Sequence, residues 1–223
     1  ELNQAVKLKI AMSNDLYKAM DNEELSLVYQ PQVDLVTGRI TGSESLLRWN
    51  HPKYGEVSPT TFIPIVEESG LIDSIGGWVL KQACLQQNEW MRSNPSMKMS
   101  SISVNISAKQ FRRGNLIRLV QQTLDETGVL PEKLTLEITE STLMSDLIET
   151  RKTLWGLKEL GVEISLDDFG TGYSSLNYLK RFPIDKLKID QSFVRDLTTS
   201  TDDASIAMAV ISIAYTFGES LGR

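Results

Sequence analysis

Apolar residues recur along this chain with two periods. Between residues 1 and 24, Leu2, Val6, Leu8, Ile10, Leu16 and Met20 fall at roughly helical spacing among charges and amides, which predicts a leading helix. From Leu25 onward, short β-rich segments alternate with helical ones. The pattern predicts strands over Leu25–Val33, Arg39–Trp49, Ser101–Ser107, Lys133–Thr139, Val162–Asp167 and Lys186–Ile189. It predicts helices over Thr61–Glu68, Ile72–Arg92, Phe111–Thr127, Asp146–Leu160, Ser175–Arg181 and Asp203–Phe217. Asp146 and Glu149 have capping-box spacing, Gly161 stands where that helix should stop, and Gly128 closes the helix before it. No low-complexity linker and no internal repeat interrupts the order. The chain therefore reads as a linker helix, residues 1–24, followed by one domain, residues 25–223.

Alternating β and α units imply a parallel sheet covered by helices. The faces of the strands distinguish an open sheet from a closed one. Ile102, Val104 and Ile106 oppose Ser103, Asn105 and Ser107. Leu134, Leu136 and Ile138 oppose Thr135, Glu137 and Thr139, and Leu187 and Ile189 oppose Lys188 and Asp190. An open doubly wound sheet buries both faces and favours strands apolar on both sides. A polar face on strand after strand fits a TIM-like β/α barrel with a polar mouth better.

Composition narrows the partners. With 223 residues, a formal charge of −6 and 41% hydrophobic residues, the chain is an ordinary globular protein, and its acidity argues against duplex nucleic acid as a partner. Cys84 is the sole cysteine, so no intrachain disulfide is possible, and its helical setting predicts an inert buried thiol. This fits a cytoplasmic, reducing setting. No stretch reaches the length of a membrane span and no signal peptide is evident, so any membrane anchor of a parent protein is expected upstream.

The chemistry gathers where a β/α barrel places it, at the carboxyl ends of the strands. There stand Glu44, Arg48, Asn105, Glu137, Glu140, Asp167, Asp168, Lys188 and Asp190. The adjacent aspartates Asp167 and Asp168 open the turn Phe169-Gly170-Thr171-Gly172; two like charges side by side repel unless a cation lies between them. An acidic solvated turn and structural ion pairs remain open for single members of this set. As a group, hard oxygen donors without His or Cys favour Mg²⁺ or Mn²⁺ over zinc, and two such ions suit attack of water on a phosphodiester. Lys188 could orient that water and Arg48 could hold a phosphate oxygen. His51, followed by Pro52, reads as a turn or strand-exit residue.

The ordered motifs carry a resemblance. Tyr29-Gln30-Pro31-Gln32, Glu44-Ser45-Leu46-Leu47-Arg48-Trp49, His51-Pro52, Phe62-Ile63-Pro64 and Glu68-Ser69-Gly70 are followed by Ser103-Val104-Asn105-Ile106-Ser107 and Leu136-Glu137-Ile138-Thr139-Glu140. Then come Asp167-Asp168-Phe169-Gly170-Thr171-Gly172-Tyr173-Ser174-Ser175 and Leu187-Lys188-Ile189-Asp190. From about Leu25 to the end, the chain resembles the EAL family of cyclic-di-GMP phosphodiesterases. The resemblance implies a β/α barrel that opens cyclic di-GMP to linear pGpG with two Mg²⁺ or Mn²⁺ ions. It implies Glu44, Asn105, Glu137 and Asp167 as ligands of one ion, with Asp167 bridging to a second ion held by Asp168. It implies Lys188 beside the attacking water, with Glu44 and Asp168 also in the catalytic set. Gln30, Leu46 and Arg48 resemble substrate contacts, Asp190 lies beside them in the site, and Glu140 resembles a brace for the loop Phe169–Ser175. A homodimer and an upstream regulatory or GGDEF-type domain are the implied partners.

Two departures qualify the resemblance. Ser45 stands where the family signature has alanine, on the strand face opposite Glu44, where a buried hydroxyl needs a partner. The last two barrel strands expected of the family are absent after Asp203–Phe217, so the barrel is expected to be incomplete at the C-terminus. A catalytically silent cyclic-di-GMP sensor is the alternative, and an unrelated metal-dependent hydrolase on a similar barrel is a third reading.

Overall fold

The computed structural model describes residues 2–93, 101–144, 146–170, 181–195 and 201–221. They divide between two units, Glu1–Asn105 with Leu119–Leu130 and Ile106–Arg118 with Pro131–Arg223.

The first unit is organised on a long strand, β2 (Ile40–His51), paired antiparallel with β1 (Leu25–Val33) and β3 (Gly55–Val57) and parallel with β4 (Ser101–Asn105). The antiparallel first pair breaks the βα alternation, and the reason is local. Asp34 Oδ1 accepts from the amides of Val36 (3.2 Å) and Thr37 (2.6 Å), and Gly38 takes φ +68°. Such a tight turn cannot make the crossover that a parallel partner needs. Strand β3 was not foreseen, being only three residues long.

Around this sheet lie α1 (Leu2–Ala19), α2 (Pro59–Ser69) and α3 (Ile72–Ser93). Helix α1 stops at Ala19, short of the predicted residue 24, and Glu23 at φ +57° turns the chain toward β1. Pro59 opens α2, where its missing N–H costs nothing, and Gly70 at φ +81° closes it. The core holds Trp49, Phe62, Ile75, Leu80, Ala83, Cys84, Ile102 and Val104, all essentially excluded from water. Met12, Leu16 and Ala19 of α1 are buried in the same unit.

The second unit stacks β5 (Leu134–Thr139), β6 (Glu163–Phe169) and β7 (Lys186–Ile189) in parallel. A 3-10 turn, Pro131–Lys133, leads into β5, and α6 (Glu140–Leu143) and α7 (Leu147–Glu159) separate β5 from β6. The helices Gln191–Arg195 and Thr201–Leu221 follow β7. The single helix expected over Phe111–Thr127 is two, α4 (Ala108–Arg112) and α5 (Leu116–Thr127). Gly114 at φ +72° breaks it, and Ser107, expected to end the strand before it, instead caps α4 in a capping box with Gln110. Asp146 caps α7 through the amides of Ile148 and Glu149 (3.1 and 3.2 Å), while Glu149 itself reaches Lys152 at 3.9 Å. The helix expected over Ser175–Arg181 lies outside the described residues except for Arg181.

Candidate active site

Alternation along β2 sorts its side chains. Glu44, Leu46 and Arg48 share one partly exposed face, whereas Ser43, Ser45, Trp49 and His51 are buried on the other. The register sets Gln30 of β1 opposite Glu44. At the end of β4, Asn105 Nδ2 donates to Glu44 Oε1 at 2.8 Å. Arg48 bonds its own strand, Nη1 to the Leu47 carbonyl at 3.0 Å, and its Nε lies 3.7 Å from Glu56 Oε1 on β3. Ser45 Oγ donates to the Ser103 carbonyl at 2.8 Å, so its hydroxyl is satisfied on the face away from Glu44.

In the second unit the polar face is buried on β5, at Thr135 and Glu137, and partly open on β6 and β7, at Asp167 and Lys188. Glu137 on β5 is 2% exposed. Its carboxylate lies within 4.8 Å of that of Asp167 on β6. Lys188 of β7 joins them, its Nζ 2.5 Å from Glu137 Oε2 and 3.0 Å from Asp167 Oδ2. A buried carboxylate is strongly destabilising without a compensating cation, and Lys188 is that cation here. Two residues earlier on β5 and β7, and four earlier on β6, Lys186 Nζ bonds Thr135 Oγ1 (3.3 Å) and Glu163 Oε2 (2.6 Å). Burial pushes the Glu163 carboxyl up, but hydrogen bonds from Lys186 and Thr135 and the charges of Lys186 and Lys158 together hold it below the usual range. This second ion cluster was not singled out from sequence, although the repeat Lys186-x-Lys188 carried its signal.

Asp168 occupies the left-handed region at φ +55°, sparsely populated for a residue with a side chain, and its amide donates to Asp167 Oδ1 at 3.0 Å. Desolvation first, and then the charges of Asp167 and Asp190, raise its carboxyl above the ordinary range against the pull of Lys188. Asp190 moves the other way, because it accepts from the hydroxyl of Ser192 and from the Ser192 amide at 2.9 Å. The two aspartates share a hydrogen bond, which adds to the rise at Asp168 and to the fall at Asp190. Glu140 Oε2 accepts the Gly170 amide at 3.1 Å. Gly170 takes φ +102°, and a β-carbon there would stand 3.1 Å from the Phe193 ring. The remainder of the expected loop, residues 171–175, lies outside the described residues.

The first unit thus brings Glu44 to Asn105 and sets Gln30 across the ladder. The second joins Glu137, Asp167 and Lys188, pairs Asp168 with Asp190, and ties Glu140 to the turn after β6. Glu137 and Asp167 offer closely spaced hard oxygens, a donor set that fits Mg²⁺ or Mn²⁺. His51, Trp49 and Cys84 lie away from this chemistry: Trp49 is fully buried, and burial pushes the Cys84 thiol up to about 12.

The EAL domain family matches residues 13–221 of the chain. MucR of Pseudomonas aeruginosa, a bifunctional diguanylate cyclase/cyclic di-GMP phosphodiesterase, is 41% identical over 215 residues, covering 96% of this chain and 31% of that protein. The solved PaMucR phosphodiesterase, in complex with c-di-GMP, superposes with a TM-score of 0.89 at 42% identity, over 93% of this chain and 83% of that one. The EAL enzyme Bd1971, in its cAMP- and cyclic-di-GMP-bound form, gives a TM-score of 0.88 at 34% identity, over 96% of this chain and 58% of that one. The fold class is accordingly α/β, of the TIM-like barrel type of EAL domains. The chain spans only about a quarter to a third of the curated relatives it matches, 25%, 31% and 32% of the first three.

Proposed function

Because this chain belongs to the EAL domain family, we propose that it is a metal-dependent phosphodiesterase that hydrolyses cyclic di-GMP to linear pGpG in second-messenger signalling. The observation that carries the reading is the Glu137–Asp167–Lys188 cluster, two carboxylates held close by one lysine at the carboxyl ends of parallel strands. The likeness to the c-di-GMP-bound PaMucR phosphodiesterase supports the substrate.

In the first unit Glu44 and Asn105, and in the second Glu137, Asp167 and Asp168, are the proposed ligands of two Mg²⁺ or Mn²⁺ ions. Such ions make bound water a nucleophile at neutral pH and neutralise charge on a phosphodiester. Lys188 Nζ donates to both Glu137 and Asp167, which sets it beside the proposed ligands, where it would orient the attacking water. Arg48 offers a guanidinium to a phosphate oxygen on the face it shares with Leu46 and Glu44, and Gln30 adds an amide from β1. Asp190, hydrogen-bonded to Ser192 and to Asp168, positions the Asp168 carboxyl. Glu140 steadies the turn after β6 through the Gly170 amide.

An upstream regulatory or GGDEF-type domain belongs to the same proposal, supported by the bifunctional MucR and by the greater length of the relatives, and a homodimer is proposed with it. A cytoplasmic site of action is likewise proposed; no helix among the described residues is long and apolar enough to cross a membrane. Incubation with cyclic di-GMP and Mg²⁺ or Mn²⁺, followed by chromatography, tests the assignment. Appearance of pGpG supports it, and retention of intact dinucleotide by a bound, inactive protein would establish the sensor reading instead.

A further inference from the structure

The carboxyl end of β2, which carries Arg48, is gripped from one side by the leading helix. His51, the last residue of β2, is 7% exposed. Its Nδ1 accepts the Lys53 amide proton at 3.0 Å, so the proton of the neutral ring resides on Nε2 and points at Asp15 Oδ2 of α1, 3.1 Å away. The same ring lies 5.0 Å from Trp49 and 4.6 Å from Tyr54. Just beyond α1, Glu24 takes the Trp49 indole N–H at 3.1 Å and accepts the Asn50 amide on its carbonyl at 2.9 Å. Three successive residues of β2 are thus tied to the segment between Asp15 and Glu24.

The bond from Lys53 to His51 shapes the turn that leads into β3. Strand β3 pairs with Trp49, Asn50 and His51, and its Glu56 stands 3.7 Å from Arg48 Nε. We infer that Asp15 is a positioning residue: by fixing the His51 tautomer it sets the β2–β3 turn, and through Glu56 it sets the guanidinium of Arg48. The helix that leads into the domain is then mechanically coupled to a residue that grips substrate. This rests on the reading of Arg48 as a phosphate contact. Asp15 touches none of the proposed ligands, and its effect reaches the site only through this turn.

Nuclear magnetic resonance on the nitrogen-labelled chain reads the coupling without any ligand. Asp15→Ala is expected to shift the Lys53 amide and the Arg48 Nε–H signals, and Asp15→Asn, which still accepts from Nε2, is expected to leave both in place. An unmoved Arg48 signal in a folded Asp15→Ala protein overturns the inference. Glu56→Gln, an exposed change that does not threaten folding, covers the case in which Asp15→Ala fails to fold: it must move the Arg48 signal too, and no movement overturns the inference equally. In cyclic-di-GMP titrations, Asp15→Ala is expected to weaken binding about threefold in the parent, about 0.7 kcal/mol, and to have no further effect in an Arg48→Ala background. Additive losses overturn the coupling. If the parent itself fails to bind the dinucleotide, the proposed function falls, while the Arg48 signal still decides whether α1 governs that side chain.

Discussion

Replacing Lys188 by methionine removes the ammonium that bonds both Glu137 and Asp167 while keeping the length of the side chain. Two unit charges within 4.8 Å of each other repel by at least about 3 kcal/mol at an effective dielectric of about 20. Glu137 is all but excluded from water, so it cannot recover that energy by hydration. The Lys188 side chain, however, is 28% exposed, so water already screens part of the lost attraction. After that discount a loss of about 2 kcal/mol is expected, below the 3–5 kcal/mol typical of a fully buried pair broken on one side. For a chain of this length that corresponds to a fall of roughly 4–8 °C in the melting midpoint. The assay is thermal unfolding with and without millimolar Mg²⁺ or Mn²⁺. The ion should restore more stability to Lys188→Met than to the parent, because in the parent it must compete with the ammonium for the same oxygens. A variant as stable as the parent without metal, or one that gains nothing extra from metal, would refute the reasoning.

Asp167→Asn keeps the shape of the cluster but removes a charge, and turnover of cyclic di-GMP should disappear while the circular dichroism spectrum stays unchanged; turnover near the parent rate contradicts the bridging role. Asp168 has a folded-state carboxyl raised above its unfolded value, so in metal-free buffer it contributes stability at low pH that is lost as pH rises through its titration. Asp168→Asn should flatten that pH dependence in denaturant titrations, and an unchanged slope would show that the strain at φ +55° matters more than the charge. Cys84, with its thiol pushed up to about 12 and no exposure, should resist a thiol reagent at neutral pH and react only in urea. Ser45→Ala should cost about 1 kcal/mol of stability by deleting the bond to Ser103, with kcat unaltered.

Most of the architecture was legible because period-two and helical spacing are written by burial. The strand limits of β1 and β7 and the start of α3 came directly from that pattern. What escaped was decided by single residues at element ends. Gly114 splitting a helix, Ser107 capping a helix instead of ending a strand, and the Asp34 turn forcing an antiparallel return are choices of a few hydrogen bonds that periodicity averages over. The site follows the same division. Alternation placed Glu44, Leu46 and Arg48 on one face and Ser45 on the other, as the structure has them. Pairing across strands was out of reach, since it depends on register: that Lys188 reaches both Glu137 and Asp167, and that Lys186 repeats the arrangement with Glu163, follows only once β5, β6 and β7 are aligned. The role of His51 was half visible. Its place at a strand exit was expected, but its bond to Asp15, 36 positions away, is a tertiary fact.

The most direct test of the central claim is to follow cyclic di-GMP with the purified chain in Mg²⁺ or Mn²⁺ by chromatography. The account predicts conversion to pGpG that stops when the ion is chelated. A chain that binds the dinucleotide and leaves it intact in the presence of either ion would contradict it.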